Sequence, residues 1–516
     1  MTALVGVSRA SGLIRMLVAF AVLGTRSPLS NVYTSANTVP TLLFEMLAAG
    51  ALSATLVPEF RRRHEAGDTR GSDRLASSIL VWGGTVLAVV LGVGLLARRP
   101  LSDLLLSGIA DPARREAAAS LLAVLLLFLL PQVLAYLLNA VAVAHLQARF
   151  RFAASMICPL VNNVILIATY LLFWRLRDGR PPDLDLTTAQ IATLGVGTLA
   201  GVVAMCAVPA VDALRHGWRP ARPLPPRSPE VVRVVRDGVW AAVFLAGGQA
   251  VLALALPLTN AHDGHGAVWQ LAWQLFLLPH ALLAVPVLTA RFPAMAAAHD
   301  RGDRAELRSV TDAGILSVVA TGALAGALLW AAAAPVGRVL ALGAAARSAP
   351  LLEAALVTLA PGIALFGLLH LLTRRCYAMG DTRTPALAAL VVLAVAAATM
   401  FGAVGQVAVP RRLSVLGAAV TVGNLAGVVV LVRRLGVRGL SRPVVRRTVA
   451  AVAAAAVGRG AAVVLERIGA GRPMALATVG VVGLAGTAAY LLVDRGTGGP
   501  GWRRTLATLG AEERAT

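Results

Sequence analysis

The sequence contains no lysine and few charges of either sign. All 47 basic residues are arginines and only 25 residues are acidic, so charged residues make up 14% of the 516 positions. Soluble globular domains carry about 25% charged residues. Together with 58% hydrophobic residues and a mean hydropathy of +0.76, this low value excludes a soluble globular protein. The missing lysine accompanies much Ala, Gly, Val and Arg, which indicates a high-GC genome rather than a mechanism.

Cysteine is scarce, and familiar catalytic motifs are missing. Cys158, Cys206 and Cys376 lie in or beside apolar segments without CxxC spacing, which excludes a disulfide framework and favours packing roles. GxSxG, Walker A and HExxH patterns do not occur. We therefore expect a protein that is not an enzyme, with no catalytic residues, no metal site and no cofactor.

Long apolar segments dominate instead. Stretches of about 20 apolar residues bounded by charges, proline or glycine are typical of membrane-spanning helices. They predict an all-α polytopic membrane protein with about 14 transmembrane helices. The first segment is expected to remain as a span rather than to be a cleaved signal peptide, because it begins with an embedded arginine. The predicted spans centre near Phe20, Leu47, Leu87, Leu127, Ile165, Val202, Phe244, Leu282, Val319, Ala360, Val392, Val422, Val452 and Val482.

The arginines are distributed as in a membrane protein. They are spread over many loops without an aromatic and basic platform, so a nucleic-acid partner is not expected. If the N-terminus is cytoplasmic, 31 arginines fall on the cytoplasmic side, 15 fall outside and one, Arg15, lies within a span. Positive charge concentrates in cytoplasmic loops. The sequence therefore predicts a multi-pass protein of the cytoplasmic (inner) membrane with both termini inside.

The chain repeats a short pattern in its two halves. Pro58 is followed by His64 and then by Gly67-Asp68, and Pro293 is followed by His299 and then by Gly302-Asp303. This repeat predicts two pseudo-symmetric six-helix lobes around a central cavity, residues 1–225 and 226–435. Residues 436–516 add two helices and a short cytoplasmic tail, and the proline-rich stretch 220–229 is the predicted linker. Parallel lobes of this kind are typical of transporters.

Arg15 is the leading candidate for a functional residue. Arg9 lies at the edge of the first span, whereas Arg15 lies about 9 Å further along the helix axis. A charge near the middle of a membrane costs about 2.5–3.5 kcal/mol and normally faces protein or water, which points to an anion pathway. Snorkelling of Arg15, or a static ion pair, is the alternative. Glu45 in the second span is the predicted partner of Arg15, as a counter-ion, a proton-coupled group or a structural pair.

Polar residues elsewhere in the spans permit two interpretations. Gln249, Gln270 and Gln274 could donate amide hydrogen bonds to phosphate oxygens, or they could hold helices together; Asn139, Asn162 and Asn163 are expected to be helix contacts. Arg374 and Arg375 are expected to set topology, with recruitment of an anionic headgroup as the alternative. Asp381 is expected to cap the next helix or to pair with an arginine, and His64 and His299 to be exposed loop residues.

Four stretches of the chain resemble the MurJ (MviN) family of lipid II flippases, within the multidrug/oligosaccharidyl-lipid/polysaccharide exporter superfamily. The combination of Ala36-Asn37-Thr38-Val39-Pro40 with Glu45 is similar to actinobacterial members. The stretches are Ser8-Arg9 with Gly12 and Arg15; Ala36 to Pro40 leading to Gly50-Ala51 and Val57-Pro58; Leu275-Phe276 with Pro279; and Tyr377-Ala378 followed by Asp381-Thr382-Arg383-Thr384-Pro385.

The resemblance implies a flippase that moves the undecaprenyl-pyrophosphate-linked peptidoglycan precursor between leaflets by alternating access. Its implied partners are that lipid-linked precursor, membrane lipids, a coupling ion, and cell-wall synthesis or division proteins. The chain departs from the family at cavity positions, where Phe44 and Gln274 align with arginines and Asn31 aligns with an acidic residue. Flipping of another polyprenyl-linked glycan, export of an amphipathic small molecule and a non-transporting scaffold of cell-wall synthesis are therefore the alternatives.

Overall fold

The protein is all-α, as predicted. The computed structural model describes residues 2–24, 27–45, 50–151, 153–340, 348–437, 439, 441–469 and 471–497, and within these residues it contains helices and turns but no strand. In the first half the helices are α1 (Thr2–Leu23), α2 (Pro28–Phe44), α3 (Gly50–Glu65), α4 (Thr69–Ser78), α5 (Gly84–Leu96), α6 (Arg98–Leu105), α7 (Pro112–Leu129), α8 (Gln132–Ala148), α9 (Ala153–Arg177), α10 (Thr188–Arg215) and α11 (Pro229–Asn260). The remaining helices are α12 (His265–Pro279), α13 (Val285–Asp300), α14 (Arg304–Ala331), α15 (Ala333–Leu340), α16 (Ala349–Leu359), α17 (Gly362–Ala378), α18 (Arg383–Ala403), α19 (Arg412–Leu435), α20 (Ser441–Ile468) and α21 (Arg472–Gly496).

Most predicted spans correspond to helices that can cross a membrane. In the described part of the chain, eleven helical segments are long and apolar enough, or twelve if α16 and α17, which meet at 46°, form one bent span. The predicted spans near Phe20 and Leu47 are not among them. The first contains only a shorter apolar helix, Ile14–Leu23, and Leu47 lies outside the described residues. The total of 14 spans therefore stays a prediction.

The chain divides into two compact units, Met1–Ala267 and Val268–Thr516. In the first unit α1 packs on α9, α2 packs between α7 and α8, and α3 packs on α8 and α11. Two apolar clusters fill this unit. One joins Leu29 of α2 with Leu125 of α7 and Phe173 of α9, and the other surrounds Phe60 of α3. The first cluster thus packs α2 together with α7 and α9.

In the second unit α14 is the central helix. It packs on α13, α17 and α20, and α16 and α17 both pack on α19. Small residues allow these close contacts: Ala327 of α14 is buried with Ala450 and Ala454 of α20. The two last helices, α20 and α21, thus pack on α14 instead of standing apart.

The helix α11 belongs to the first unit in the structure, although the predicted lobe boundary falls before it. It packs on α2 and α3, and the proline-rich stretch that leads into it is fixed to α4. The backbone N–H groups of Ala221 and Leu224 donate to the hydroxyl oxygens of Ser77 (3.0 Å) and Ser78 (2.7 Å). The lobes 1–225 and 226–435 are defined by repeated sequence, and their arrangement around a central cavity stays a prediction.

The repeated pattern folds alike in its two copies. Gly67 and Gly302 have left-handed φ values of 74° and 73°, a conformation that glycine adopts without a Cβ penalty. Asp68 and Asp303 then cap the following helices α4 and α14 by accepting backbone hydrogen bonds of 2.8 and 2.9 Å. The local structure therefore supports the internal repeat.

Helix breaks recur in the same way. The helices α8 and α17 begin directly after Pro131 and Pro361, and each is preceded by an apolar helix that ends at the break. Each helix is also followed, two residues after its end, by a left-handed residue, Phe150 (φ 58°) after α8 and Gly380 (φ 72°) after α17. Asp381 accepts from the N–H groups of Arg383 and Thr384, at 3.0 Å each, which confirms the predicted cap of α18.

Candidate functional site

Arg15 lies on α1, whose position is fixed by a polar contact to α9. The side-chain amide of Asn163 donates to the hydroxyl of Ser11 at 2.9 Å, which confirms Asn163 as a helix contact. Gly12 faces the same amide, since a Cβ at this glycine would lie 3.6 Å from it. Arg15 follows within one turn and is half-buried. Among the described residues its guanidinium makes no hydrogen bond and no ion pair.

Three of the chain's five tyrosines lie within electrostatic range of Arg15. They are Tyr33 of α2, Tyr136 of α8 and Tyr170 of α9. The hydroxyl of Tyr33 is 2.6 Å from the hydroxyl of Thr198 and 3.3 Å from that of Tyr170, and the two tyrosine rings meet edge-on at 5.9 Å. We call Tyr33, Tyr136 and Tyr170 the tyrosine cluster. Arg15 thus acts electrostatically on three neutral tyrosines, and among the described residues no carboxylate pairs with it.

Glu45 lies near one member of this cluster, Tyr136. The chain is π-helical at Glu45, directly after α2, and Tyr136 is within electrostatic range of both Glu45 and Arg15. The ring of Tyr136 packs 5.5 Å from that of Phe44. Glu45 and Arg15 do not form the predicted ion pair within the described part of the chain. Short π-helical segments within α-helices often occur at functional positions, so Glu45 remains a candidate neighbour of a bound anion.

Asn31 lies at the opposite end of α2 from Glu45, about 20 Å away along the helix axis. It is buried, and its side-chain amide donates to the carbonyl oxygen of His262 at 2.9 Å. This bond holds the turn between α11 and α12. Among the described residues Asn31 therefore forms a hydrogen bond with this turn and none with Arg15.

The other predicted binding residues are distributed over both units. Gln249 is half-buried on α11 of the first unit. Gln270 and Gln274 belong to the second unit and lie four residues apart on α12, so they share one face of that helix; Gln270 is half-buried and Gln274 is exposed. Arg9 lies in α1, but its side chain is outside the described part of the structure.

His64 is not the exposed loop residue that was predicted. It is half-buried in α3, where its ring packs 5.3 Å from that of His145 on α8. Arg149 donates from Nε to His64 Nε2 at 2.5 Å. The prediction was wrong because it considered His64 only in its own segment, whereas α8 covers it. His299, its counterpart in the repeat, is exposed as predicted, although it lies in α13 rather than in a loop.

A groove with apolar walls runs between α9 and α10 in the first unit. Its volume is about 550 Å³, and Ile157, Val208 and Val211 are among the residues that line it. Arg151, Asp212 and Arg215 lie at its charged part, where Arg151 and Asp212 are 3.7 Å apart. Apolar walls beside arginines suit an amphipathic anion.

Sequence comparisons identify relatives along most of the chain. Residues 20–479 match the family model described as "Lipid II flippase MurJ". A Rhizobium meliloti (strain 1021) protein named "Probable lipid II flippase MurJ" is 26% identical over 396 residues, which cover 75% of this chain and 71% of the relative. The "Lipid II flippase MurJ" of Burkholderia cenocepacia (strain J2315) is 26% identical over 399 residues, covering 75% and 74%.

Solved structures share the fold. The structure titled "Lipid II flippase MurJ, inward closed conformation" matches with a TM-score of 0.73 at 16% identity, over 96% of this chain and 97% of the other. An inward-facing MATE-family multidrug resistance transporter of the MOP superfamily matches with a TM-score of 0.64 at 16% identity, over 83% and 94%. The likeness at this identity concerns the fold.

Proposed function

The chain belongs to the lipid II flippase MurJ family, and from this membership we propose that it moves lipid II across the cytoplasmic membrane. The cargo is an undecaprenyl-pyrophosphate-linked peptidoglycan precursor, and the mechanism is alternating access of the two predicted lobes. The actinobacterial subtype, the inner-membrane location and the N-in, C-in orientation are parts of this proposal. The protein acts as a transporter, and no covalent step is needed.

The observation that carries the proposal is a half-buried arginine without an acidic partner. Arg15 forms no ion pair within the described residues, and the three tyrosines of the cluster lie within electrostatic range of it. A buried charge left in this way is costly unless a ligand or water compensates it. A pyrophosphate supplies several negative oxygens, and charge-assisted hydrogen bonds to arginine are about twice as strong as neutral ones. Arg15 is thus suited to bind the headgroup while the polyprenyl tail stays in lipid.

The neighbouring predicted residues have supporting roles in this proposal. Glu45 is proposed to exchange its interactions when the anion arrives, because Tyr136 is within electrostatic range of both Glu45 and Arg15. Gln249, Gln270 and Gln274 are proposed as neutral donors for phosphate oxygens. Arg9 is proposed to lie nearer the cytoplasmic mouth. The driving force is a membrane potential or an ion gradient, and a potential supplies about 2.3 kcal/mol per charge per 100 mV.

The experiment is a replacement of the host's own lipid II flippase. Cells depleted of that flippase express this chain, and the lipid II that becomes accessible on the outer leaflet is measured. We expect the wild-type chain to restore accessibility and Arg15→Ala to reduce it at least about tenfold, since a hydrogen bond to a charged group contributes about 1.5–3 kcal/mol. Arg15→Lys keeps the charge and is expected to retain part of the transport.

The matched control is Arg70→Ala, which removes an exposed arginine of α4 and is expected to transport like the wild type. Membrane amounts and monodispersity of each variant exclude loss of folding. A wild-type chain that is correctly inserted but restores nothing would contradict lipid II as the cargo and favour another polyprenyl-linked glycan or a scaffold. Equal transport by wild type and Arg15→Ala would remove Arg15 from the pathway.

A further inference from the structure

Two histidines and an arginine gather inside the second unit, apart from the predicted binding residues. His280 is the first residue of a π-helical segment, His280–Ala284, that joins α12 to α13. His370 lies opposite on α17, and the two imidazole rings are 5.1 Å apart. Phe366 packs against both rings, at 4.7 Å from His280 and 4.3 Å from His370. Arg374 follows His370 by one turn on the same face of α17.

Arg374 differs from the adjacent Arg375 in its hydrogen bonds. Arg375 donates to the carbonyl oxygen of Leu435 at 3.5 Å and lies near Asp312 of α14. Arg374 is half-buried and lies over the ring of Phe292, 5.7 Å from its centre. It makes no hydrogen bond and no ion pair among the described residues. Arg375 therefore has a hydrogen-bond acceptor in the protein, whereas Arg374 has none among the described residues.

His280 adds unsatisfied hydrogen-bonding capacity. Nδ1 of His280 is buried without a hydrogen-bond partner in the described structure, and an unmet buried donor or acceptor costs about 1–3 kcal/mol. Nδ1 of His370 contacts the carbonyl oxygen of Phe366 at 2.9 Å. A carbonyl only accepts, so Nδ1 carries the proton and any further proton goes to Nε2. In its neutral form each imidazole carries one proton, and it gains a second when it becomes an imidazolium.

The charges around His280 come from one side only. The ionisable groups that act on it are His370, which carries charge only when protonated, and Arg374, both on α17. The α14 groups Arg308 and Asp312 act on Arg375, and Arg291 of α13 lies against Gly314 of α14. Glu353 of α16 pairs with Arg459 at 3.4 Å, and α18 and α19 add no charge that acts on His280. Without an added anion, a proton on His280 would face only positive neighbours.

We propose that His280, His370 and Arg374 form an anion-binding site that takes up a proton together with the pyrophosphate of the lipid headgroup. The proposal rests on the proposed function and adds a second cationic site to Arg15. Arg374 attracts the anion, and the anion then compensates an imidazolium that would otherwise be disfavoured beside a guanidinium. Because such coupling is reciprocal, lower pH tightens anion binding.

The position of the site suits the arrival of the headgroup. Arg374 lies in the last turn of α17, next to the loop that Asp381 closes, and this loop is cytoplasmic in the predicted topology. His370 lies about 6 Å deeper along the helix. Arg374 therefore meets an anion from the cytoplasm first, and the histidines receive it further in.

The test measures binding rather than transport. The purified protein in phosphatidylcholine nanodiscs is titrated with undecaprenyl pyrophosphate between pH 7.5 and 5.5, with undecaprenol as the uncharged control. One linked proton tightens binding by up to about tenfold per pH unit. The slope is the change in the logarithm of the dissociation constant per pH unit. The ligand's own titration contributes equally to this slope in all variants, so the difference between variants isolates the protein's contribution. Proton uptake on binding is recorded in weakly buffered solution.

In the wild type we expect the affinity to rise with falling pH by up to about tenfold per pH unit more than in the double variant His280→Gln with His370→Gln. The double variant should also lose the extra proton uptake. Arg374→Gln is expected to weaken binding at every pH by about tenfold or more. His299→Gln, which removes an exposed histidine of α13, is the control and should match the wild type. His280→Asn, which places an amide near the Nδ1 position, replaces His280→Gln if that variant fails to fold.

The outcomes separate this inference from the proposed function. Binding of the pyrophosphate with the same slope and proton uptake in wild type and double variant would overturn the proton-linked site while leaving the flippase proposal intact. Unchanged affinity in Arg374→Gln would remove the arginine from the site. Failure of the wild-type protein to bind undecaprenyl pyrophosphate at any pH would contradict both proposals.

Discussion

His64 gives a prediction at the scale of single residues. Arginine is only a donor, so the 2.5 Å contact from Arg149 Nε requires His64 Nε2 to be an unprotonated acceptor. Burial, and after it the charge of Arg149, lower the pKa of His64 below its usual value. The unfolded chain binds a proton below about pH 6.5, but the folded protein resists it. The stability present at neutral pH is therefore lost as the pH falls from about 6.5 towards the lowered pKa, by at most about 1.4 kcal/mol per pH unit.

The measurement is the melting temperature of the purified protein between pH 8 and pH 5. His64→Gln removes the titrating ring and is expected to flatten the fall in Tm below pH 6.5. His299→Gln is the matched control, because His299 occupies the corresponding position of the repeated pattern but is exposed. Equal acid sensitivity of His64→Gln and wild type would show that the contact between His64 and Arg149 does not limit stability.

The residues of the candidate site differ in how well the sequence predicts them. Arg15 is predictable, because a charge within an apolar segment is exceptional whatever surrounds it. Tyr33, Tyr136 and Tyr170 were missed, since they come from α2, α8 and α9 and a tyrosine in an apolar helix is typical of ordinary packing. Their only sequence signal is scarcity, five tyrosines in 516 residues. The absence of an ion pair between Arg15 and Glu45 depends on three-dimensional spacing that no pattern encodes.

Close packing of α14 supports a prediction at the scale of helices. A Cβ added at Gly326 would lie 2.5 Å from the backbone carbonyl oxygen of Ala360, and one added at Gly322 would lie 2.8 Å from Cα of Ala364. These glycines, four residues apart, let α14 approach the break between α16 and α17. Gly326→Ala must displace backbone, so we expect a loss of about 1–3 kcal/mol in stability, which lowers Tm by several degrees.

Gly480→Ala on α21 is the control for this substitution, because a Cβ there meets nothing within 4 Å. Alanine favours a helix over glycine by about 1 kcal/mol, so Gly480→Ala should leave Tm unchanged or raise it slightly. A Tm for Gly326→Ala equal to that of Gly480→Ala would mean that α14 does not depend on this approach.

Helix ends were more predictable than helix interruptions. Asp381 was expected to cap a helix or pair with an arginine, and it caps α18, because a short acceptor before a helix start satisfies free N–H groups locally. The π-helical segments at Ile79–Gly83 and His280–Ala284 were not predicted. Such segments shift the hydrogen-bond register by one residue, and apolar composition on either side is the same for π-helix and α-helix.

At the scale of the molecule, the all-α fold and most spans follow from composition alone, since a bilayer requires helices of about 20 apolar residues. The repeat was visible in short motifs because turns need particular residues, such as Gly67 and Gly302 at positive φ. The division between Ala267 and Val268 was not visible. It depends on α11 packing on α2 and α3, which the proline-rich stretch before α11 does not reveal.

The orientation of the chain in the membrane is the remaining prediction. The arginine distribution predicts which loops face the cytoplasm. With 31 arginines on the predicted cytoplasmic side and 15 outside, the turn after α3 should be cytoplasmic and the start of α10 should be external. Two exposed alanines, Ala66 and Ala189, report on these sites without changing charge, and the three native cysteines are buried. We expect a membrane-impermeant thiol reagent to label Ala189→Cys in intact spheroplasts and to label Ala66→Cys only after permeabilisation. The reverse labelling pattern would contradict the N-in orientation. It would place Arg374 at the external end of α17, and the proposed proton-linked site would then bind the headgroup on release instead of on entry.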